Sequence, residues 1–208
     1  MKKTVNVYVM RHGQKQSDVD GDLAALSETG RKQVIDSAAK NLVGIKFDGL
    51  YCSLKFRALE TVVCAVSALP ERNNGLSVIA KEAFDYSSSI TDIKRYFKLS
   101  ARVAELAKER DQPITVALWS EVAPEMIGHF AKKIHHGIVH AAWEMVEEKP
   151  RQTEFNILIG CHSPGSELVT LDLEHTTMLR EADIMQYVVN LNGPETKIVA
   201  SRYIDRGF

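Results

Sequence analysis

Short β-forming segments alternate with helical segments along most of this 208-residue chain, and no other feature constrains the fold as strongly. Valine at every second position predicts a buried strand over residues 4–10. Further strands are predicted over residues 47–53, 76–84, 155–161, 184–191 and 197–204. Helices are predicted over residues 28–42, 55–69, 89–110 and 121–148, whereas residues 114–119 fit either a strand or the approach to the last helix.

This alternation predicts an α/β fold, a three-layer sandwich with a mostly parallel central sheet flanked by helices. The chain has no internal repeat, low-complexity tract or linker, so residues 1–208 are expected to form a single domain. The helical stretch from about residue 86 to 150 is expected to be an insertion over the functional site.

Composition excludes several classes of partner. The formal net charge is -1, with 45% hydrophobic and 25% charged residues, as in soluble globular proteins. A nearly neutral chain has no global field to attract nucleic acid or an anionic membrane, so an anionic ligand needs a local cluster of cations. No signal peptide, membrane-length apolar run or even set of cysteines is present, and we therefore expect a cytoplasmic protein. The oligomeric state is left open, a homodimer included.

Cationic side chains follow three of the predicted strands. Arg11 and His12 end the first strand, Arg57 lies one helical turn after the second, and His162 follows the strand over residues 155–161. Ligands of open α/β sheets bind beyond the carboxyl ends of the strands, so these four side chains are expected to converge. Two arginines and two histidines together suit a dianionic phosphoryl group.

Four motifs in a fixed order carry this pattern. In chain order they are Arg11-His12-Gly13, Leu26-Ser27-Glu28-Thr29-Gly30-Arg31-Lys32-Gln33, Ser53-Leu54-Lys55-Phe56-Arg57-Ala58-Leu59-Glu60-Thr61 and Ile157-Leu158-Ile159-Gly160-Cys161-His162-Ser163-Pro164. Together they resemble the signature of the histidine phosphatase superfamily, which includes the cofactor-dependent phosphoglycerate mutases. A bare Arg-His-Gly is weak evidence, but all four motifs in the right order are specific.

The resemblance implies a role for each matched residue. His12 would attack phosphorus in line and form a phosphohistidine. Arg11, Arg57 and His162 would bind the non-bridging oxygens, and Gly13 would let the backbone approach the phosphate. The predicted enzyme is therefore a phosphoric monoester hydrolase that needs no metal and no cofactor. Its substrate would be a small phosphorylated molecule or a phosphoprotein.

The leaving group also needs a proton, which members of this family commonly take from a carboxylic acid after the third strand. Glu82 matches that position best, and Asp85 is the alternative. The chain departs from the family at Gln14-Lys15, where a glutamate is common, and at Asp18, where an amide is common. Asp18 would add negative charge near the phosphate, so it is left outside the predicted site.

Two other functions remain open. A phosphoglycerate mutase would share the phosphohistidine, but dedicated mutases carry Glu-Arg-His-Tyr-Gly where this chain has Glu82-Ala83-Phe84-Asp85-Tyr86, without the Arg-His pair that would hold a substrate carboxylate. A non-catalytic phospho-ligand binding module would keep the arginines and lose turnover. The missing Arg-His pair disfavours the mutase, and the complete set of two arginines and two histidines argues against the binding module.

Overall fold

The computed structural model describes residues 2–17, 21–70, 75–85, 93–165, 167, 169, 178–192 and 195–205. Within these residues six strands form one sheet in the order β3-β2-β4-β1-β5-β6. The strands are β1 (Lys3–Arg11), β2 (Gly49–Cys52), β3 (Val78–Ala80), β4 (Glu154–Cys161), β5 (Ile184–Asn192) and β6 (Glu195–Ile204).

The strand directions explain how the sheet builds a site. β1 pairs with β4, β4 with β2 and β2 with β3, all in parallel, while β5 is antiparallel to β1 and β6 to β5. The predicted α/β class with a mostly parallel sheet is thereby confirmed. The carboxyl ends of β1, β2 and β4 lie at one edge, with Arg11 directly opposite Cys161 in the register.

Helices cover both faces of the sheet. They are α1 (Glu28–Asn41), α2 (Phe56–Ser67), α3 (Ile93–Glu109), α4 (Val116–Val122) and α5 (Pro124–Glu148). One core cluster joins α1 and α2 to the sheet face that carries Met10 and Leu158. Another joins α5 to the opposite face, which carries Val7 and Ile157. Because side chains alternate between the two faces of a strand, β1 and β4 are buried on both, as the near-continuous apolar runs of their sequences require.

The helical insertion has a hydrophobic cluster of its own. Residues of α3, α4 and the first half of α5 pack together, and Tyr96 stacks on Trp119 with ring centroids 5.8 Å apart. Met178 packs against this cluster, and its sulfur lies 4.0 Å from the Ser163 hydroxyl. The insertion therefore reaches the residue that follows His162. None of the helices in the described ranges is long and apolar enough to cross a membrane.

One element differs from the sequence prediction, and one alternative that the sequence left open is decided. The strand expected over residues 76–84 covers only Val78–Ala80, and a 3-10 turn (Glu82–Phe84) follows it. The turn places Phe84 in the core against Tyr51, which an extended strand at the sheet edge would not do. Residues 114–119 open a helix, because the Thr115 side chain caps α4 by accepting a hydrogen bond from Leu118 N at 3.2 Å. The turn predicted after β5 falls at residues 193–194, outside the described residues.

Candidate phosphate-binding site

The end of β1 is held in place by backbone hydrogen bonds from both neighbouring strands. Arg11 N donates to Asp183 O just before β5, and His12 N donates to Cys161 O at the end of β4, each at 3.0 Å. The two residues therefore leave the sheet at a fixed position. A side chain on such a backbone is oriented by the scaffold and not by a mobile loop.

The hydrogen bond of the His12 ring determines which nitrogen can react. Nδ1 lies 2.6 Å from the Gly13 carbonyl oxygen, and since a carbonyl only accepts, Nδ1 carries the proton. Nε2 of the neutral ring then has a free lone pair. Burial lowers the pKa of His12 to about 3, with the nearby positive charges of Arg57 and Arg11 adding to the effect and the Gly13 bond opposing it. His12 is therefore neutral at physiological pH.

His162 lies beside His12 at the end of β4. The two ring centroids are 5.0 Å apart at an interplanar angle of 60°, and Nε2 of His162 lies 2.7 Å from the Ser53 hydroxyl at the end of β2. Burial is the main cause that holds the pKa of His162 well below its usual value, followed by the neighbouring His12 ring and the positive charge of Arg57. The structure thus brings both predicted histidines together at the carboxyl edge of the sheet, near the positive charges of Arg11 and Arg57.

The two arginines belong to different elements, and both lie close enough to His12 to affect its pKa. Arg11 Nη1 donates to the Leu179 carbonyl, and Arg11 Nε is buried with no hydrogen-bond partner among the described residues. Arg57, on the first turn of α2, donates from Nη1 to Gly21 O at 3.1 Å. Both guanidinium groups lower the pKa of His12, so all four predicted residues share one electrostatic environment.

Gly13 has a packing role that the sequence did not reveal. A Cβ added to Gly13 would lie 2.3 Å from Gly30 O, and one added to Gly30 would lie 2.1 Å from Gln14 O. The loop after β1 therefore lies directly on the first turn of α1, backbone against backbone. Ser27 caps that helix by accepting from Gly30 N at 3.0 Å and contacts the Gln14 side chain at 2.9 Å.

Other residues of the matched motifs support the scaffold. A Cβ on Gly160 would lie 2.4 Å from Ala58 O, so α2 sits on β4 at a separation that only small residues permit. Glu60 accepts hydrogen bonds from Leu26 N at 2.5 Å and from Arg31 at 2.9 Å, joining α2 to α1. These motif positions fix the distance between the elements that carry Arg57 and His162.

The two candidate proton donors differ in their surroundings. The Glu82 side chain is 68% exposed and lies 3.5 Å from Lys133 Nζ. The Asp85 side chain is 4% exposed and lies 3.7 Å from Lys55 Nζ, and Lys55 also pairs with Asp22. Glu82 is thus in contact with solvent, while Asp85 is part of a buried ion pair. Asp18 lies outside the described residues.

Sequence reasoning missed Glu167 and the segment of residues 178–183. Glu167 is buried, and its carboxyl accepts hydrogen bonds from Leu179 N and the Ser163 hydroxyl. Burial raises the pKa of Glu167 to about 7. No motif marked this residue, because its partners are brought near only by the fold. Within the described ranges, no group of three or more His, Cys, Asp or Glu side chains is placed to hold a metal ion.

Comparisons with known proteins agree with this architecture. No protein-family model and no curated protein sequence matches the chain. Among solved structures it is similar to a phosphoglycerate mutase from Bacillus anthracis (TM-score 0.63, 17% identity, 95% of this chain and 92% of the other). It is also similar to a phosphoserine phosphatase from Entamoeba histolytica (TM-score 0.53, 17% identity, 97% and 98%). A third is a mycobacterial glucosyl-3-phosphoglycerate phosphatase (TM-score 0.51, 15% identity, 95% and 96%).

These three structures share one fold. The chain has that fold over nearly its whole length, which confirms the resemblance found in the four motifs at the level of the fold. Because phosphatases and a mutase share it at 15 to 17% identity, the fold does not choose between their reactions.

Proposed function

We propose that this protein is a phosphatase that hydrolyses a phosphate monoester through a phosphohistidine on His12, without a metal ion. The observation that carries the proposal is the hydrogen bond between His12 Nδ1 and Gly13 O, because it leaves the Nε2 lone pair free in a buried ring that stays neutral. A neutral imidazole surrounded by cationic groups suits nucleophilic attack on a phosphate dianion.

In the first half-reaction, His12 Nε2 attacks phosphorus and the bond from phosphorus to the ester oxygen breaks. The leaving oxygen takes a proton from the Glu82 carboxyl. Arg11, Arg57 and His162 bind the three non-bridging oxygens and stabilise the charge that spreads over them in the transition state. The products are the free alcohol and a phosphohistidine.

In the second half-reaction, water attacks the phosphohistidine in line and the phosphorus–nitrogen bond breaks. The Glu82 carboxylate accepts the proton of the water and is restored to its acid form. His12 Nε2 regains its lone pair, while Nδ1 keeps its proton and its hydrogen bond to Gly13 O. Inorganic phosphate is released, and the enzyme returns to its starting state.

The proton donor is tested by comparing two amide variants. Glu82→Gln is expected to lower kcat by about 100-fold or more on an alkyl phosphate, in the range of general acid catalysis, with a much smaller effect on p-nitrophenyl phosphate, whose leaving group needs little help. Asp85→Asn would break the ion pair with Lys55 and is expected to affect both substrates alike. A substrate-dependent loss in Asp85→Asn, and none in Glu82→Gln, would assign the proton to Asp85.

The central experiment is hydrolysis of p-nitrophenyl phosphate by wild-type protein and by His12→Ala. The variant is expected to lose turnover while its thermal unfolding remains cooperative, and quenching of wild type with alkaline detergent is expected to trap a phosphohistidine that is stable in alkali and labile in acid. His129→Ala, which replaces an exposed histidine on α5, is the matched control and should retain full activity. A wild type that hydrolyses no phosphomonoester contradicts the proposal, and an active His12→Ala contradicts the role of His12.

Two alternative functions predict different products. A phosphoglycerate mutase returns the phosphoryl group and isomerises phosphoglycerate without releasing phosphate, and a binding module retains phosphate without turnover. The mutase remains a candidate because a phosphoglycerate mutase shares the fold. Measuring inorganic phosphate release and isomerisation in the same reaction separates all three.

A further inference from the structure

Glu167 is a buried carboxyl close to the site that the reaction described above does not use. Its side chain lies in the interior, 1% exposed, where a carboxyl needs hydrogen-bond donors to offset the loss of hydration. Oε1 accepts a hydrogen bond from Leu179 N at 2.6 Å and another from the Ser163 hydroxyl. Glu167 thus ties the residue that follows His162 to Leu179.

Leu179 in turn holds the side chain of Arg11. The Leu179 carbonyl accepts the hydrogen bond from Arg11 Nη1, while the backbone of Arg11 is held by bonds with Ala182 and Asp183. The backbone bonds fix the position of the Arg11 main chain, and the bond to the Leu179 carbonyl fixes the orientation of its guanidinium group. The N–H and the carbonyl of the same residue therefore connect Glu167 to Arg11.

We infer that Glu167 is a positioning residue for the phosphate pocket, which orients the Arg11 guanidinium by holding Leu179. The inference rests on the proposed function insofar as Arg11 binds the phosphoryl oxygens. It adds a residue in contact with neither phosphate nor leaving group, and it predicts that oxyanion binding depends on where the Glu167 oxygens lie.

The charge of Glu167 is not what this role needs. Burial raises the pKa of Glu167 to about 7, so both protonation states are populated near neutral pH. Oε1 can accept from Leu179 N in either state, since a protonated carboxyl keeps a carbonyl oxygen. An amide also keeps that acceptor, whereas a carboxylate that is one methylene shorter does not reach it.

Two conservative variants separate position from charge. Glu167→Gln keeps the reach and loses the charge, and it is expected to bind tungstate, a phosphate mimic, within a few-fold of wild type. Glu167→Asp keeps the charge and loses the reach. It is expected to weaken tungstate binding and to lower kcat/KM by about 100-fold, the cost of displacing a binding group by roughly 1 Å. Calorimetry for binding, kinetics for turnover and circular dichroism for folding provide the readouts.

A double-mutant cycle with Arg11→Ala tests whether Glu167 acts through Arg11. Once Arg11 is gone, Glu167→Asp is expected to cause little further loss, because the group that it positions is absent. Asp48→Asn is the matched control. Asp48 also accepts from a backbone N–H, that of Asn156 at 3.0 Å, but at the opposite, amino-terminal edge of the sheet. Its loss should lower stability without changing tungstate affinity.

The outcomes are distinct. Equal tungstate affinity in wild type and Glu167→Asp, a greater defect in Glu167→Gln than in Glu167→Asp, or additive losses in the cycle would each overturn the inference. A wild type that binds tungstate but hydrolyses nothing would contradict the proposed function alone. If Glu167→Asp does not fold, NMR titration of wild type decides. As tungstate is added, the Leu179 N–H and Arg11 Nε–H signals should shift together in wild type and in Glu167→Gln alike, and a Leu179 signal that does not change while Arg11 binds the oxyanion overturns the inference.

Discussion

At the scale of single residues, His12 combines two properties that ordinary surface histidines do not have. It is buried among positive charges, and its Nδ1 is occupied by the carbonyl of the next residue. Burial opposes a second proton on the ring, and the charges of Arg57 and Arg11 oppose it further. His12 is thus kept neutral by its surroundings, and in the proposed role of nucleophile it needs no separate base to remove a proton from it.

We therefore expect His12 of the ligand-free protein to titrate far below the ordinary histidine pKa of 6.5, near 3. Long-range proton–nitrogen NMR correlations should show the Nδ1–H tautomer at neutral pH. A His12 ring that titrates near the ordinary value of 6.5, or that carries its proton on Nε2, contradicts the assignment of Nε2 as the proposed nucleophile.

At the scale of elements, the sequence predicted some parts well because their signals are local. The valine alternation of β1, the Ser27 cap of α1 and the apolar run of β4 lie within single segments, and all three elements form as expected. β3 was predicted too long, because the residues of an edge strand and a following 3-10 turn have similar apolar composition. The local sequence pattern does not reveal the packing of Phe84 against Tyr51, which places Phe84 in the core.

The candidate site also contains residues that the sequence predicted and one that it did not. The sequence predicted the positions of Arg11, His12, Arg57 and His162 because each follows a strand or opens a helix in a recognisable motif. It did not predict Glu167 as a neighbour of Arg11. That relation passes through Leu179, and the bond from Arg11 to Leu179 spans 168 residues, a separation at which spacing in the sequence carries no information.

The contact between α2 and β4 gives a prediction for a whole element. Gly160→Ala would place a Cβ 2.4 Å from Ala58 O, a backbone atom that moves only if α2 moves. We expect a loss of about 1–3 kcal/mol in the free energy of unfolding, as for other overpacked cores, together with a loss of activity because Arg57 and His162 separate. Denaturant unfolding and p-nitrophenyl phosphate turnover measure the two effects.

Gly128→Ala is the control for that substitution. Gly128 lies in α5, and an added Cβ there meets no neighbour within 4 Å. Alanine is the better helix former, so a gain of about 0.5–1 kcal/mol in stability is expected with activity unchanged. A Gly160→Ala protein as stable and active as wild type would show that α2 and β4 can separate at little cost.

At the scale of the whole molecule, the buried titratable groups predict opposite pH dependences of stability. The pKa values of His12 and His162 are lowered on folding, so only the unfolded chain takes up these protons as the pH first falls below 6.5. Their contribution to stability is complete above pH 6.5 and is lost as the pH falls, for His12 until about pH 3. The pKa of Glu167 is raised from 4.5 to about 7, so its contribution is complete below pH 4.5 and is lost as the pH rises through 7.

These two trends can be separated by measuring the free energy of unfolding against pH. His12→Gln is expected to reduce the loss of stability below pH 6.5, because one of the two buried imidazoles is removed. Between pH 4.5 and 6.5 the two trends oppose each other, so Glu167→Gln should make stability rise more steeply with pH there and should remove the decline that follows up to about pH 7. Curves that coincide with wild type in both variants would show that neither group changes its pKa on folding.

The parallel pairing of β1 with β4 has a further consequence for how activity arises. Arg11 and Cys161 are direct partners across this pairing, so the two histidines meet only after two strands that are separated in the sequence by α1 to α5 have joined. A fragment that stops before β4 would contain Arg11, His12 and Arg57 and still have no pocket. Because distant pairings close late and slowly, recovery of catalysis during refolding should trail the recovery of helical signal. Under the proposed function, the time at which turnover returns thus reports when the pairing of β1 with β4 is complete.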